Sequence, residues 1–181
     1  MIFRLAFGIF TLSLGSFLTG CSEDKNRDPG QVVFLSQFEN HAWSDYGDEC
    51  RIMSSGRIER YKIDWVYDSS GSKKEYTELP PDKISRTIVE AMEKKIPAAK
   101  GDLGEFIGMG ADFGMGQFIA LDYSQDRKNA KEIILIEWGD GGRINPNETA
   151  VELVTWLSGV FAKAGCPEMG EFDPRKYSNE K

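Results

Sequence analysis

The sequence predicts an α+β domain: an antiparallel sheet of about four to five strands with two helices packed on it. Three observations carry this expectation. From Arg57 to Tyr67 the side chains alternate, with Tyr61, Ile63, Trp65 and Tyr67 on one face and Arg60, Lys62 and Asp64 on the other. That is the period of a half-buried antiparallel strand. Two later stretches repeat apolar residues at helical spacing, one from Ile84 to Ile96 and one from Ala150 to Ala164. The elements also follow the order strand, hairpin–helix, hairpin–helix, which suits helices layered on a sheet. The two units share an order but no convincing sequence repeat. The expected domain spans residues 32–169, followed by a polar tail over 170–181.

Val32 to Phe38 is a short apolar run, read as a strand with helix as the alternative. Asn40 to Glu49 reads as a loop. The alternating strand then ends in a turn at Ser69-Ser70-Gly71-Ser72, and Lys73 to Glu78 returns beside it. Pro80 and Pro81 stop the sheet, and Pro81 with Asp82 suits a first helical turn. Ile84, Ile88, Val89, Met92 and Ile96 mark the apolar face of the first helix until Pro97 ends it. Residues 101–116 hold six glycines and read as a long loop. Gln117 to Tyr123 and Glu132 to Trp138 are the next two strands. Ile133 to Ile136 is continuously apolar, as in a strand covered on both faces. Asp140-Gly141-Gly142 is a turn. Asn145 is the expected N-cap of the second helix, with Pro146 at its first position and Glu148 three residues after the cap. Ala150, Leu153, Val154, Leu157, Val160, Phe161 and Ala164 form its buried face, and Gly165 ends it.

The N-terminus has a different character. Arg4 precedes an apolar run from Leu5 to Phe17, too short to span a bilayer as a helix of roughly 20 residues. Leu18-Thr19-Gly20-Cys21 follows. This pattern resembles a bacterial lipoprotein signal peptide with its lipobox. The resemblance implies that residues 1–20 are removed and that Cys21 carries a diacylglyceryl group and an acylated amine (palmitate). Several chains at about 0.8 kcal/mol per buried CH₂ make a stable anchor. It also implies, through Ser22 after the cysteine, transfer to the outer membrane. Residues 21–31 then form the lipidated terminus and a polar tether. Its roughly ten flexible residues reach about 16–19 Å.

Taking residues 1–20 from the 181-residue chain leaves 161, enough for a real core. The removed part holds one arginine and no acid, so the remainder is one unit more negative than the full chain's −7. Such an acidic domain is a poor nucleic-acid binder, because neutralising phosphates needs Lys and Arg. Basic-patch adhesion to anionic lipid is equally unsuited to it, which leaves the lipid as the membrane link. With Cys21 assigned to lipid, Cys50 and Cys166 remain. In an oxidising compartment this even pair is expected to form a disulfide. Closing so long a loop could contribute about 4 to 5 kcal/mol in the chain-entropy model.

Catalytic signals are sparse. His41 is the single histidine, and any Ser-His-Asp or Cys-His device would need it. It sits in an expected loop beside Ser44 and Asp45, with no nucleophile-elbow pattern in the chain, and no catalytic residue is assigned. One histidine and two paired cysteines leave too few nitrogen and sulfur ligands for zinc. Asp45, Asp48 and Glu49 cluster as calcium-type oxygen ligands would, but without EF-hand spacing. They read as a solvated acidic loop, and no metal or cofactor is expected. Gly108-Met109-Gly110 and Gly114-Met115-Gly116 match neither a Walker loop nor a dinucleotide fingerprint. Two readings of this segment stay open. One is a permissive loop; the other is a binding loop presenting Phe106, Met109, Phe113 and Met115 to an apolar partner. Trp43 and Tyr46 are read likewise, as interface anchors or as cover for the core edge.

These residues point to a lipid-anchored binding module on the periplasmic side. Its partner would be another envelope or periplasmic protein, with the module acting as an inhibitor or immunity-type lipoprotein or as an accessory subunit. The alternative is an envelope or cell-wall hydrolase working through Asp122, Glu137 or Asp140, since paired carboxylates can do glycoside chemistry.

Overall fold

The computed structural model describes residues 30–40, 46–68, 71–108, 114–139 and 141–167. The signal segment, Cys21, His41, Trp43, Asp45, Met109, Phe113, Asp140 and the C-terminal tail lie outside them.

Eight strands form one antiparallel sheet: β1 (Val32–Asn40), β2 (Tyr46–Met53), β3 (Arg57–Asp68), β4 (Gly71–Lys83), β5 (Ile107–Gly108), β6 (Met115–Asp122), β7 (Lys131–Gly139) and β8 (Gly141–Ile144). Their order in space is β4-β3-β2-β1-β6-β7-β8-β5. Two helices, α1 (Arg86–Glu93) and α2 (Glu148–Ala164), complete the α+β architecture.

The expected count of four to five strands is too low, for three physical reasons. β2 occupies much of the expected loop 40–49: its acidic residues lie on a strand because Arg51 and Gln37 pair with Glu49 there. Gly141 and Gly142 open a strand instead of making only a turn. The glycine-rich stretch contributes a two-residue strand on β8. β4 also runs on through Pro80 and Pro81 to Lys83. An edge strand needs donors on one side only, so it tolerates proline.

β1 and β6 meet at the centre, with Gln37 opposite Gln117. From that pair each half steps outward in chain order, β1-β2-β3-β4 then α1, and β6-β7-β8 then α2, with β5 outside β8. The sheet is therefore an approximate two-fold arrangement of similar units.

Both helices contribute to one hydrophobic core on one face of the sheet. Phe34, Ile52, Ile58, Phe118, Leu135 and Ile136 are fully buried with Leu153, Leu157 and Phe161 of α2. Burying each such side chain stabilises by about 1.5–3 kcal/mol. Phe118 touches the Trp138 and Phe161 rings with centroids at 4.8 and 5.2 Å. Gly116 lies where a Cβ would stand 2.2 Å from the Trp138 ring, so no larger residue fits there. In α1, Val89 is buried but Ile88 is exposed, so the apolar stripe is narrower than its spacing suggests.

The α2 N-cap is Asn147, not Asn145: its side chain accepts from Thr149 N and Ala150 N. Asn145 is wholly buried and donates to Ala99 O at 2.9 Å and Gly101 O at 3.2 Å. Its Oδ1 accepts from Asn147 N, so it anchors the preceding loop instead of the helix. Gly165 ends α2 in the left-handed conformation at φ 67°. Cys166 then bonds Cys50 of β2, with Cα atoms 6.1 Å apart. This staple ties the C-terminus of α2 to the sheet.

Candidate functional site

The sheet face opposite the helices carries a continuous row of polar side chains. Register places Glu78, Tyr61, Glu49, Gln37, Gln117, Glu137 and Arg143 in line across seven strands. The two halves of the row are built alike. Gln37 Nε2 donates to Glu49 at 3.3 Å, and Arg51 Nε donates to the same carboxylate. Gln117 Nε2 donates to Glu137 at 2.8 Å, and Arg143 Nε completes that pair. Both glutamates are 5% exposed. They lie three strand spacings apart, about 14 Å.

Cations also lie over aromatic rings on this face: Arg51 over Tyr61 and Lys74 over Trp65, each 4.8 Å from the centroid. Lys74 pairs with Glu39 as well. Burial alone would lower the Arg51 pKa, but the Glu49 hydrogen bond and charge outweigh it and hold the guanidinium above its ordinary value. Burial, then the Glu59 hydrogen bond, raises the Tyr61 pKa.

The alternation seen in β3 is real, and the register decides which of its faces the helices cover. Tyr61, Ile63 and Trp65 lie on this helix-free face, while Ile58 and Arg60 point toward the helices. Arg60 donates through Nη1 to Ala164 O at the end of α2.

Of the carboxylates considered for hydrolysis, Asp122 and Glu137 do not meet, and Asp140 lies outside the described residues. Asp122 follows Phe118 and Ala120 on the helix-covered face, whereas Glu137 is on the open one. Asp122 is buried, with Lys100 Nζ at 3.0 Å from its Oδ2 and Ser124 N donating to Oδ1 at 2.9 Å. Burial pushes its pKa up, yet the Ser124 bonds and Lys100 together hold it below the ordinary carboxylate value. Asp48 and Glu49 are successive strand residues and point to opposite faces of β2. Among the described residues no group of three His, Cys, Asp or Glu could hold a metal ion. No described helix is long and apolar enough to cross a membrane.

Exposed apolar side chains are concentrated instead of scattered. Of the seven large ones exposed among the described residues, five belong by register to one end of the sheet, Tyr46, Tyr67, Tyr76, Ile107 and Met115, and Phe106 precedes Ile107 on the outer edge. Register places those five there. Tyr46 faces Asn40, Met115 faces Glu39, Tyr76 faces Ile63, Tyr67 faces Ser72, and Ile107 faces Gly142 near the end of β7. The exception, Ile88, is on α1.

Two of the residues singled out in the sequence, Tyr46 and Met115, thus sit along one rim, and Phe106 lies on the β5 edge next to Ile107. Tyr46 and Met115 do not share a face. Met115 is level with Glu39 on the open side, and Tyr46 follows the parity of Asn40 on the other. Trp43, Met109 and Phe113 are outside the described residues. Tyr67 and Tyr76 were not singled out as binding candidates. Their alternation was visible, but their exposure depends on β4 being an edge strand. No protein-family model, no curated protein and no solved structure matches the chain.

Proposed function

We propose that this chain is a lipid-anchored envelope protein that binds another protein through the aromatic rim of its sheet. One observation carries the reading: five exposed large apolar side chains lie at one end of the sheet, with Phe106 beside them on the β5 edge. Exposed aromatic and large apolar side chains serve as interface anchors where a partner covers them.

The lipobox resemblance and the course of β1 give the rim an orientation. β1 starts at Val32 beside Ser54, whose N–H donates to Gln31 O at 2.7 Å, and ends at Asn40 in the rim. Nine strand residues cover about 30 Å. A tether from Cys21 therefore joins the end opposite the rim, and the partner approaches from the side away from the bilayer. An inhibitor or immunity-type lipoprotein and an accessory subunit of an envelope complex both fit this arrangement. Asp122 and Glu137, the described carboxylates of the hydrolase alternative, lie on opposite faces of the sheet, which does not favour it.

The test has two arms. Cys21→Ala should release the protein from membranes or leave the precursor unprocessed. Met115→Ala and Phe106→Ala should each weaken capture of the partner from envelope extract while the fold is retained. Membrane retention and normal maturation of Cys21→Ala would sink the anchor. Unchanged partner titrations for both rim variants would sink the rim.

A further inference from the structure

The two edges of the sheet are treated unequally. One ends in β5, two residues long, outside the four-residue β8. The other ends in β4, thirteen residues long, of which all but Lys74 and Leu79 are exposed. Natural sheets blunt their edges because unpaired N–H and C=O groups recruit other strands. Here one edge is shortened to two residues, whereas the other is long and guarded by its charged side chains and by Pro80 and Pro81. Backbone donors run without interruption from Ser72 to Leu79, and Pro80 and Pro81 end the run.

We propose that β4 pairs with β4 of a second copy of this chain, antiparallel about a two-fold axis through Tyr76, so that two sheets join into one. In an antiparallel pair, residues directly opposite share a face. A two-fold pairing of a strand with itself therefore allows only registers centred on a residue. Centring on Tyr76 places Lys74 opposite Glu78 twice, Glu75 opposite Thr77, and Lys73 opposite Leu79. No like charges meet, and two ion pairs form. Centring on Glu75, Lys74 or Glu78 puts identical charges together on the axis, which is destabilising. Centring on Thr77 avoids that clash but forms no ion pair and sets Lys74 against Pro80. The Tyr76 register pairs Lys73 to Leu79 without involving a proline, and Ser72 then meets Pro80. Lys74 already touches Glu39 and Glu78 already touches Arg57 at 3.2 Å. An ammonium has three donors and a carboxylate several acceptor sites, so both can take a further partner. This proposal does not depend on the anchor or on the rim partner.

The experiment is a cysteine scan along the edge, in the full chain carrying Cys21→Ser so that the introduced thiol is the one unpaired cysteine. Glu75→Cys, Tyr76→Cys and Thr77→Cys are compared under mild oxidation across a protein concentration series. On a two-fold axis Tyr76→Cys brings two Cβ atoms within bridging distance and should form the covalent dimer roughly tenfold faster than its neighbours. Sedimentation of the parent chain should show mass approaching twice the monomer's as concentration rises. Lys74→Glu and Glu78→Lys should each weaken that association, and the double exchange should restore it. Equal rates at the three positions, or fastest bridging at 75 or 77, would overturn the register. A parent mass that stays monomeric at every concentration would overturn the pairing itself.

Discussion

Gln117 and Phe118 are neighbours on β6, yet they are covered by different means. Phe118 is enclosed by Trp138, Phe161 and the rest of the helix-side core. Gln117 lies on a face that no helix covers, where Glu137 is shielded from water by Gln117 and Arg143 instead of by a packed layer. Side chains of the one face are buried by packing, whereas Glu49 and Glu137 on the other are buried by pairing, beside apolar neighbours such as Ile63 and Ile119. Packing gains free energy with every methylene removed from water. Pairing roughly offsets the desolvation of its own charges, and becomes costly when one member is lost. The fold's stability should therefore reside in the helix-covered face, leaving the open face and its rim available for recognition.

The sharpest way to break this comparison is to cut both faces. Phe118→Ala should cost about 3–5 kcal/mol in urea denaturation, because it leaves a cavity against the Trp138 and Phe161 rings. Replacing both Cys50 and Cys166 by Ser should cost about 2–4 kcal/mol, since it releases the end of α2 from β2. On the open face, Arg51→Met strands Glu49 with Gln37 alone. The expected loss is about 1–2 kcal/mol, discounted for the partial exposure of the guanidinium. Adding Glu49→Gln to that variant should recover most of it, because no unpaired charge then remains. A double-mutant cycle in which the second substitution makes matters worse would show that this face, too, is held by packing.

At the rim the expected effect on stability nearly vanishes while the effect on binding does not. Met115→Ala and Phe106→Ala should each change unfolding free energy by no more than about 0.5 kcal/mol. If either anchors the partner, its affinity should fall by about 2 kcal/mol. Large destabilisation by Met115→Ala would mean that the rim belongs to the core.

How much of this was legible depended on whether a signal was local. Helix α2 was readable from spacing alone, down to Gly165, because each buried residue and its αL stop lie within one continuous segment. The Cys50–Cys166 bond was expected from cysteine number together with the oxidising compartment that the lipobox resemblance implies, and the bond is present. β2 was not readable. Its charged residues look solvent-facing until Gln37, twelve residues earlier, and Arg51 are known to surround Glu49. Asn145 and Asn147 are both good caps by composition, and only the loop at Ala99 and Gly101 decides between them. The sheet face to which Tyr61 and Trp65 belong was also undetermined, since period-2 alternation shows two faces without saying which one the helices cover. The rim residues Tyr46, Phe106 and Met115 stood out singly. Their gathering with Tyr67 and Tyr76 is a property of register between distant strands.

The smallest effect concerns two aspartates whose surroundings act in opposite directions. At Asp122 burial is outweighed by Ser124 and Lys100, and the folded-state pKa lies below the unfolded one. The proton is then bound more weakly in the folded state. The resulting stability is present above the unfolded value, about 3.9, and is lost as pH falls through the folded value. At Asp48 burial dominates over the attraction of Lys62, its cross-strand neighbour, and the folded pKa is raised. Here the contribution is present below the unfolded value and is lost as pH rises through the folded one. Asp122→Asn should therefore lower the urea midpoint at neutral pH and flatten its fall into acid. Asp48→Asn should raise the midpoint at neutral pH and leave it nearly unchanged near pH 3, below the ordinary aspartate pKa of about 3.9. Midpoints measured across that range for parent and variants decide the matter. If both substitutions move the neutral midpoint in the same direction, the environment of one of these carboxylates is not the one described.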